Sequence, residues 1–584
     1  MCGIFGFTNF ENQDLQRARK ALNCLAHRGP DQWGDYISQG VYMGHRRLSI
    51  IDLSEQGKQP MRSEEHGVVI TVNGEIYNFR LLRQELELKY HFKSNSDSEV
   101  VLHGYTEWGI DGLLERMDGM YAISIFDTKR RQLFLVRDRA GIKPLIFSNM
   151  DSRYLWASEL KAIVEFVGED SLQIDKTAIY DFYTYQYIPT PKTLYQNVFK
   201  LEPGHYLQID TESNAIVKKK YWVLPEITGS DSIEEASDKI KSLLGESVKE
   251  QFVSDVPVGL FLSGGMDSSA VVALASMQKS GLSTFNIGFE NNPKDESPYA
   301  ELVAAHFKTN HFKKVLNIEE ANWLYKSIKN WYDEPFGDLS CLPTYLVSEF
   351  AKNHVTVVLT GDGGDELFGG YKWYKAFSFI EKFNLRKLRV LKRPVLAIIR
   401  LLLSGNFRNK IVSRVEWLFL SEMELYTRLM GGRLKNDIDK IHLKKELSIS
   451  EDYDDYWYFR KFYRPEMSIY QRLRYLDFHT YLHDDILTKV DRVSMAVALE
   501  CRVPFLSRKM MEYMFTLPDK TILHGGELKG AMKYAFKDIL PQAIINRDKE
   551  GFNLPISTWG GELRSGFRSR QERILAEVFK LIQH

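Results

Sequence analysis

Apolar and polar positions change their period several times along the chain. Val68 to Val72, Tyr121 to Asp127 and Leu133 to Arg137 are short apolar, alternating runs, and they predict strands. Between about Gln208 and Ser237 the period fades through Asp210-Thr211-Glu212-Ser213-Asn214 and Pro225-Glu226-Ile227-Thr228-Gly229-Ser230, which predicts a strand edge followed by a linker. From Asp231 to Val253 the spacing becomes helical, with Ile233, Ala236, Ile240, Leu243, Leu244, Ser247 and Val248 on one side. Val256 to Leu262 is a continuous apolar run that enters Ser263-Gly264-Gly265-Met266-Asp267-Ser268-Ser269 and then a helix through Val271, Val272, Leu274 and Ala275. A second such strand, Val355 to Leu359, leads into Thr360-Gly361-Asp362-Gly363-Gly364-Asp365-Glu366. The expected organisation is a first domain over 2–210, a linker over 211–232 and a second domain over 233–584.

Composition narrows the class. At 584 residues and 44% hydrophobic content the chain exceeds one core and can bury several. Lys plus Arg equals Asp plus Glu at 77 each, so no overall charge points to nucleic acid as a partner. The four cysteines, Cys2, Cys24, Cys341 and Cys501, are far apart, without a CxxC or His-rich metal pattern. That usage fits a reducing compartment, and the opening residues lack a basic region followed by an apolar run, so a cytoplasmic location is expected.

Three stretches carry chemistry. Removal of Met1 would place a thiol and an α-amine on Cys2 alone, and an amine with a pKa of about 7.7 to 8.0 can take the thiol's proton near neutrality. The strand, glycine turn and helix at 256–275 form a phosphate site, since backbone amides, hydroxyls and the helix N-terminus all favour an anion. The GxxxxGK[ST] spacing and its lysine are missing, so this is not a loop for γ-phosphoryl transfer. Acidic groups in the Thr360–Glu366 stretch would repel a polyphosphate unless a divalent cation intervened, and Asp267 with Asp365 are the expected Mg²⁺ ligands.

Cys2-Gly3-Ile4-Phe5-Gly6, His27-Arg28-Gly29-Pro30-Asp31, Gly44-His45-Arg46-Arg47-Leu48-Ser49-Ile50, Asn73-Gly74-Glu75-Ile76-Tyr77-Asn78 and Ser96-Asp97-Ser98-Glu99 together resemble the class II glutamine amidotransferases. That resemblance implies an α+β N-terminal-nucleophile sandwich in αββα layers that splits glutamine into glutamate and ammonia. It implies Cys2 as nucleophile, the Asn73 side chain and Gly74 backbone as oxyanion donors, Arg47 against the glutamine carboxylate, and Glu75 with Asp97 against its ammonium. The Ser263–Ser269 stretch is similar to the pyrophosphate loop of the ATP pyrophosphatase superfamily, an α/β fold with a parallel sheet.

Over roughly residues 2–375, again at Leu487 to Met495 and Glu500 to Leu506, and at Arg547-Asp548-Lys549-Glu550-Gly551-Phe552, the chain resembles glutamine-dependent asparagine synthetases. The resemblance implies ATP on Leu262, Ser263, Gly264, Gly265, Asp267, Ser268, Ser269, Ile287, Thr360 and Gly361, with Asp362 and Lys549 in the chemistry and a helical C-terminal region. It also implies a β-aspartyl adenylate attacked by ammonia that arrives through an internal tunnel. Two departures leave the acceptor open between aspartate and another carboxylic acid, such as a sugar acid of a surface polysaccharide: Asp362 replaces the family's usual Glu, and Ser507 replaces an acid after Val-Pro-Phe-Leu. A silent glutamine or nucleotide sensor is the third reading. A homodimer is left open.

Glu381 to Glu416 encloses no acidic residue but holds Arg386, Lys387, Arg389, Lys392, Arg393, Arg400, Arg408, Lys410 and Arg414. Pro394 and Arg400 interrupt its apolar run, so it does not reach the roughly 20 apolar residues of a membrane span. A solvated helical hairpin is expected over 385–414, with peripheral contact to an anionic membrane as the alternative.

Overall fold

The computed structural model describes residues 1–150, 152–290, 292, 295–382, 392–402, 411–412, 415–432, 437–547 and 549. The first domain contains two six-stranded sheets. One has the order β10 (Val198–Lys200), β8 (Ile146–Met150), β9 (Arg153–Ala157), β1 (Gly3–Phe7), β3 (Val41–Arg47), β2 (Gln32–Ser38). The other runs β12 (Ile216–Lys220), β11 (His205–Asp210), β7 (Gln132–Arg137), β6 (Gly119–Asp127), β5 (Val68–Ile76), β4 (Met61–Ser63). The paired strands are antiparallel.

Strand alternation assigns each side chain to a layer. Val69 of β5 and Ala122 and Phe126 of β6 pack with Ile4, Val41 and Met43 of the facing sheet, which fills the space between sheets. Ile70, Val72, Tyr121, Ile123 and Ile125 point the other way, into a cluster with Leu82, Leu86, Val100 and Val101 of the helices Phe79–Leu86 and Glu99–Arg116. Helices Leu15–Asn23 and Leu160–Val167 cover the other sheet. The result is the expected αββα sandwich, in which the central strands β5 and β6 are buried along almost their whole length. The stretch 211–232, expected as linker, carries the exposed β12 paired to β11, so the first domain's sheet runs to Lys220.

The helix expected from Asp231 spans Ile233–Gln251, opened by a capping box between Ser232 and Glu235. The second domain's sheet is parallel, in the order β15 (Asn310–Leu316), β14 (Ser283–Phe289), β13 (Val258–Phe261), β16 (Val357–Leu359), β17 (Glu500–Arg502). Chain order reverses between β13 and β16, and in open parallel sheets the crevice beyond the carboxyl ends at such a reversal is where ligands bind. Both glycine-rich stretches leave the sheet there. After β16 the described chain is mostly helical. Of the basic stretch 385–414, the helix Lys392–Leu402 and residues 411–412 are described, and the rest, with the hairpin expected there, lies outside the described residues.

The two domains share one apolar cluster, in which Met1, Leu48 and Ile50 join Leu260, Leu359 and Val503. Among the described residues, no helix is long and apolar enough to cross a membrane.

Candidate functional site

Cys2 precedes β1 and is buried. Its backbone N–H donates to Asn73 Oδ1 at 2.9 Å, which fixes the Asn73 amide with Nδ2 donating to Ser158 Oγ at a long 3.5 Å. Gly74 follows on β5 with φ 154°, and a Cβ there would lie 2.0 Å from the Met120 carbonyl, so only glycine lets strand β5 approach β6 at this point. The structure therefore brings Cys2, Asn73 and Gly74 together. Burial pushes the Cys2 thiol up, against the pull of the N-terminal ammonium, the Leu48 backbone amide and Arg47. A thiol held protonated needs a base beside it.

Arg47, Glu75 and Asp97 are all buried. Arg47 donates to the carbonyls of Ile51 at 3.0 Å and Asp52 at 2.6 Å and to Gln32 Oε1 at 2.8 Å, so it also braces the loop after β3. Asp97 accepts the Ile76 N–H at 2.7 Å. Glu75 pairs with Arg502 of β17 at 3.3 Å, which brings the second domain against the residue after Gly74. Glu500, two residues before Arg502, receives the buried Met1 ammonium at 2.8 Å.

Beyond β13 and β16 lies a cavity of about 890 Å³. It is lined by Leu262, Ser263, Gly265, Asp267, Ser268, Ile287, Thr360, Gly361, Asp362, Asp365 and Lys549, all of them expected from the sequence. Gly264 and Ser269 are not on its wall. Gly264 turns at φ +75° against the helix Ser297–Phe307, and Ser269 is fully buried on the helix Met266–Gln278. The loop is held by its own hydroxyls, with Gly265 N–H on Ser263 Oγ at 3.2 Å and Ser263 and Ser268 hydroxyls 3.1 Å apart. Its amides open a 13-residue helix, whose N-terminal end favours an anion. A Cβ on Gly361 would lie 2.7 Å from Ser268 N, so glycine is what allows the two loops to meet. These features fit a nucleotide's phosphates.

Asp267 and Asp365 share the ammonium of Lys529, at 2.6 Å and 2.7 Å, and Asp365 also pairs with Lys549. The two lysines overcome burial and hold the Asp365 carboxyl well below the usual range. A cation thus already sits between the two expected metal ligands. Two carboxylates suit Mg²⁺ delivered with phosphate oxygens and waters, while the described residues contain no cluster of three or more His, Cys, Asp or Glu for a metal held by protein alone. Lys529 carries no sequence signal: it stands at positive φ before the short helix Gly530–Phe536, with no periodic pattern or motif around it.

Elsewhere in the lining, burial raises the Asp362 carboxyl, and Lys489 Nζ donates to Asp338 Oδ2 at 3.0 Å and Ser340 Oγ at 2.8 Å. Asp338, Ser340 and Glu366 also line the cavity; Glu366 ends the acidic stretch 360–366, while no sequence pattern marks Asp338 or Ser340 as site residues. Glu366 accepts from the Tyr371 hydroxyl at 2.5 Å, and burial beside Asp365 pushes it up to about 7.

A family model described as asparagine synthase matches residues 239–582, more than half the chain. The chain belongs to that family. A second model, described as glutamine amidotransferase domain, matches residues 1–222. The chain is 35% identical to asparagine synthetase (glutamine-hydrolyzing) 1 of Bacillus subtilis strain 168, over 96% of this chain and 88% of that one. It is 31% identical to asparagine synthetase (glutamine-hydrolyzing) 3 of the same organism, over 94% and 87%. A more distant relative, amidase chry2 of Gibberella zeae, is 27% identical over 96% and 90%. Among solved structures, a glutamine phosphoribosylpyrophosphate amidotransferase from B. subtilis is similar at 20% identity and TM-score 0.30, covering 48% of this chain and 65% of that one.

Proposed function

We propose that the chain is an ATP-dependent carbon–nitrogen ligase with glutamine as amide donor, making asparagine from aspartate. The observation that carries this reading is the pairing, in one chain with a shared apolar core, of the buried Cys2, Asn73 and Gly74 constellation with a glycine-lined cavity built for phosphates.

In the first half-reaction the α-amine of mature Cys2 takes the thiol proton as Sγ attacks the glutamine side-chain carbonyl carbon. Asn73 Nδ2 and the Gly74 N–H steady the oxyanion. The α-ammonium returns its proton to the departing nitrogen, ammonia leaves, and water hydrolyses the thioester to glutamate. Arg47, Glu75 and Asp97 orient the substrate through its own charges. In the second, the aspartate side-chain carboxylate attacks the α-phosphorus of ATP, releasing pyrophosphate. Ammonia attacks the resulting β-aspartyl adenylate to give asparagine and AMP. The 263–269 loop holds phosphates, Leu262, Ile287 and Gly361 flank the base, Lys529 and Lys549 offset negative charge, and Asp267 and Asp365 would hold Mg²⁺, which would neutralise the pyrophosphate as it leaves. The apolar cluster common to both domains is a suitable wall for carrying ammonia unprotonated.

A second reading, in which the acceptor is another carboxylic acid, is favoured by the Lys489 part of the cavity wall. Lys489 there is engaged by Asp338 and Ser340 and shares its surroundings with Asp362 and Asp485, an acidic setting for the α-carboxylate of aspartate. The deciding experiment is ATP-to-AMP turnover with glutamine and Mg²⁺, with and without aspartate, scoring asparagine directly. Asparagine in step with AMP supports aspartate. Glutamine hydrolysis without aspartate-dependent AMP selects the second reading.

A further inference from the structure

The helix Lys392–Leu402 carries apolar residues on two sides. Leu396 is buried and seats it on the protein, with Val395 and Ile399 half-buried beside it. On the other side Pro394, Ala397, Ile398 and Leu401 are exposed, Ile398 by 56% and Leu401 by 85%. These four stand at i, i+3, i+4 and i+7, so they form one stripe along the helix. A solvated face, the expectation for this stretch, would carry polar residues at those positions. An apolar stripe in the open is instead a face that something else covers.

The charge around the helix says what covers it. Residues 385–414 hold nine Lys and Arg and no Asp or Glu, while the whole chain is balanced at 77 of each, so the remainder carries nine more acidic than basic residues. Positive charge is thus gathered in one segment of a chain that is otherwise net negative, which turns that segment toward an anionic surface. By helical position Arg393 and Arg400, seven apart, fall on one flank of the stripe. A nucleic acid would use the charge, but base stacking asks for aromatic rings, which this helix lacks. A protein interface is poor in lysine and anchored by aromatic side chains, which again does not fit. A row of aliphatic residues within a basic run free of acids matches the boundary between hydrocarbon and anionic headgroups. The helix has 11 residues, about 16 Å of length against the roughly 30 Å of a bilayer's hydrocarbon, so it can lie along a membrane but not cross it.

We propose that the helix Lys392–Leu402 seats the protein on an anionic lipid surface, with Pro394, Ala397, Ile398 and Leu401 entering the headgroup boundary and the basic run of 385–414 supplying the attraction. A short apolar face and a basic patch are each weak alone, so attachment needs both and is reversible by salt. The proposal rests on no reading of the chemistry in either domain.

The test is co-sedimentation of the full chain with vesicles of phosphatidylcholine alone or with about 30% phosphatidylglycerol, at low salt and at about 0.5 M. Two variants are compared with the wild type. Ile398→Asp with Leu401→Asp spoils the stripe, and Lys392→Gln with Arg393→Gln and Arg400→Gln removes charge while keeping the stripe. The wild type should bind anionic vesicles at least about tenfold more tightly than neutral ones and lose that binding in high salt. Each variant should weaken it by about tenfold or more, with melting temperature within about 2 °C of wild type, as for surface substitutions. Binding to neither vesicle, equal binding to both, or binding that either variant leaves intact overturns the proposal. So does self-association without vesicles, followed by light scattering, that the aspartate pair abolishes: the stripe is then covered by a second copy. If the aspartate pair fails to fold, the glutamine triple decides.

Discussion

The Met1 ammonium lies 2.8 Å from Glu500 Oε2 with both groups fully buried, so the first residue of one domain is anchored in the other. Covalent geometry keeps that ammonium within about 4 Å of the Cys2 nitrogen. Loss of Met1 removes a buried cation beside Cys2 and leaves Glu500 with Arg502, whose Nε is 2.6 Å away.

Glu500 gives the chain that retains Met1 a defined acid sensitivity. Burial would raise its carboxyl, but the Met1 ammonium and Arg502 bring it from 4.5 down to about 2. A depressed carboxyl stabilises the fold fully above the unfolded value and loses that contribution as pH falls toward the folded one. Melting temperature should drop between about pH 4.5 and pH 2, and Glu500→Gln should flatten this part of the profile while lowering stability at pH 7. Thermal melts across that range provide the check, and a wild-type profile matching the variant's would count against the pair.

Cys2→Ala should lower glutamine-dependent amide formation by at least about a thousandfold, because it removes the thiol beside the Asn73 and Gly74 donors. Ammonia-driven formation should continue. Parallel assays with glutamine and with ammonium chloride separate the two, and loss of both would mean that the half-reactions share one site. Mass spectrometry of the natural N-terminus should find Cys2 first.

Lys529→Met strips the shared cation from Asp267 and Asp365 and leaves Lys549 as the ion-pair partner of Asp365. Ammonia-driven AMP formation should fall by about a hundredfold, in the range of a lost charge-stabilising donor. Turnover near the wild-type rate at saturating Mg²⁺ would show that the metal alone supplies the charge needed there.

Gly361→Ala tests the contact between the two loops. Its Cβ would stand 2.7 Å from Ser268 N and 3.0 Å from the Asp267 carbonyl carbon, both backbone atoms that cannot swing aside. KM for ATP should rise by about tenfold or more, measured by AMP release at varied ATP. An unchanged KM would place the nucleotide away from this junction.

Much of this protein was legible in its sequence because the relevant physics is local. The period of Val68 to Val72 and of Ile233 to Val248 specifies strand and helix over spans of ten residues or so, and the glycines of 263–269 and 360–366 mark backbone that must turn tightly after a buried strand. The position of Cys2 at the start of the chain is itself a chemical statement. Lys529, by contrast, is 262 residues from Asp267, and Met1 is 499 from Glu500. A lysine or arginine has no local signature that distinguishes a solvated side chain from one that neutralises a buried pair of carboxylates. Its role depends on which charges the fold brings within about 3 Å and on the water it excludes around them. The sequence by itself determined the strand and helix periods, the change of period between the two units and the glycine-rich turns after buried strands. Only the tertiary structure decided which distant charges close each site.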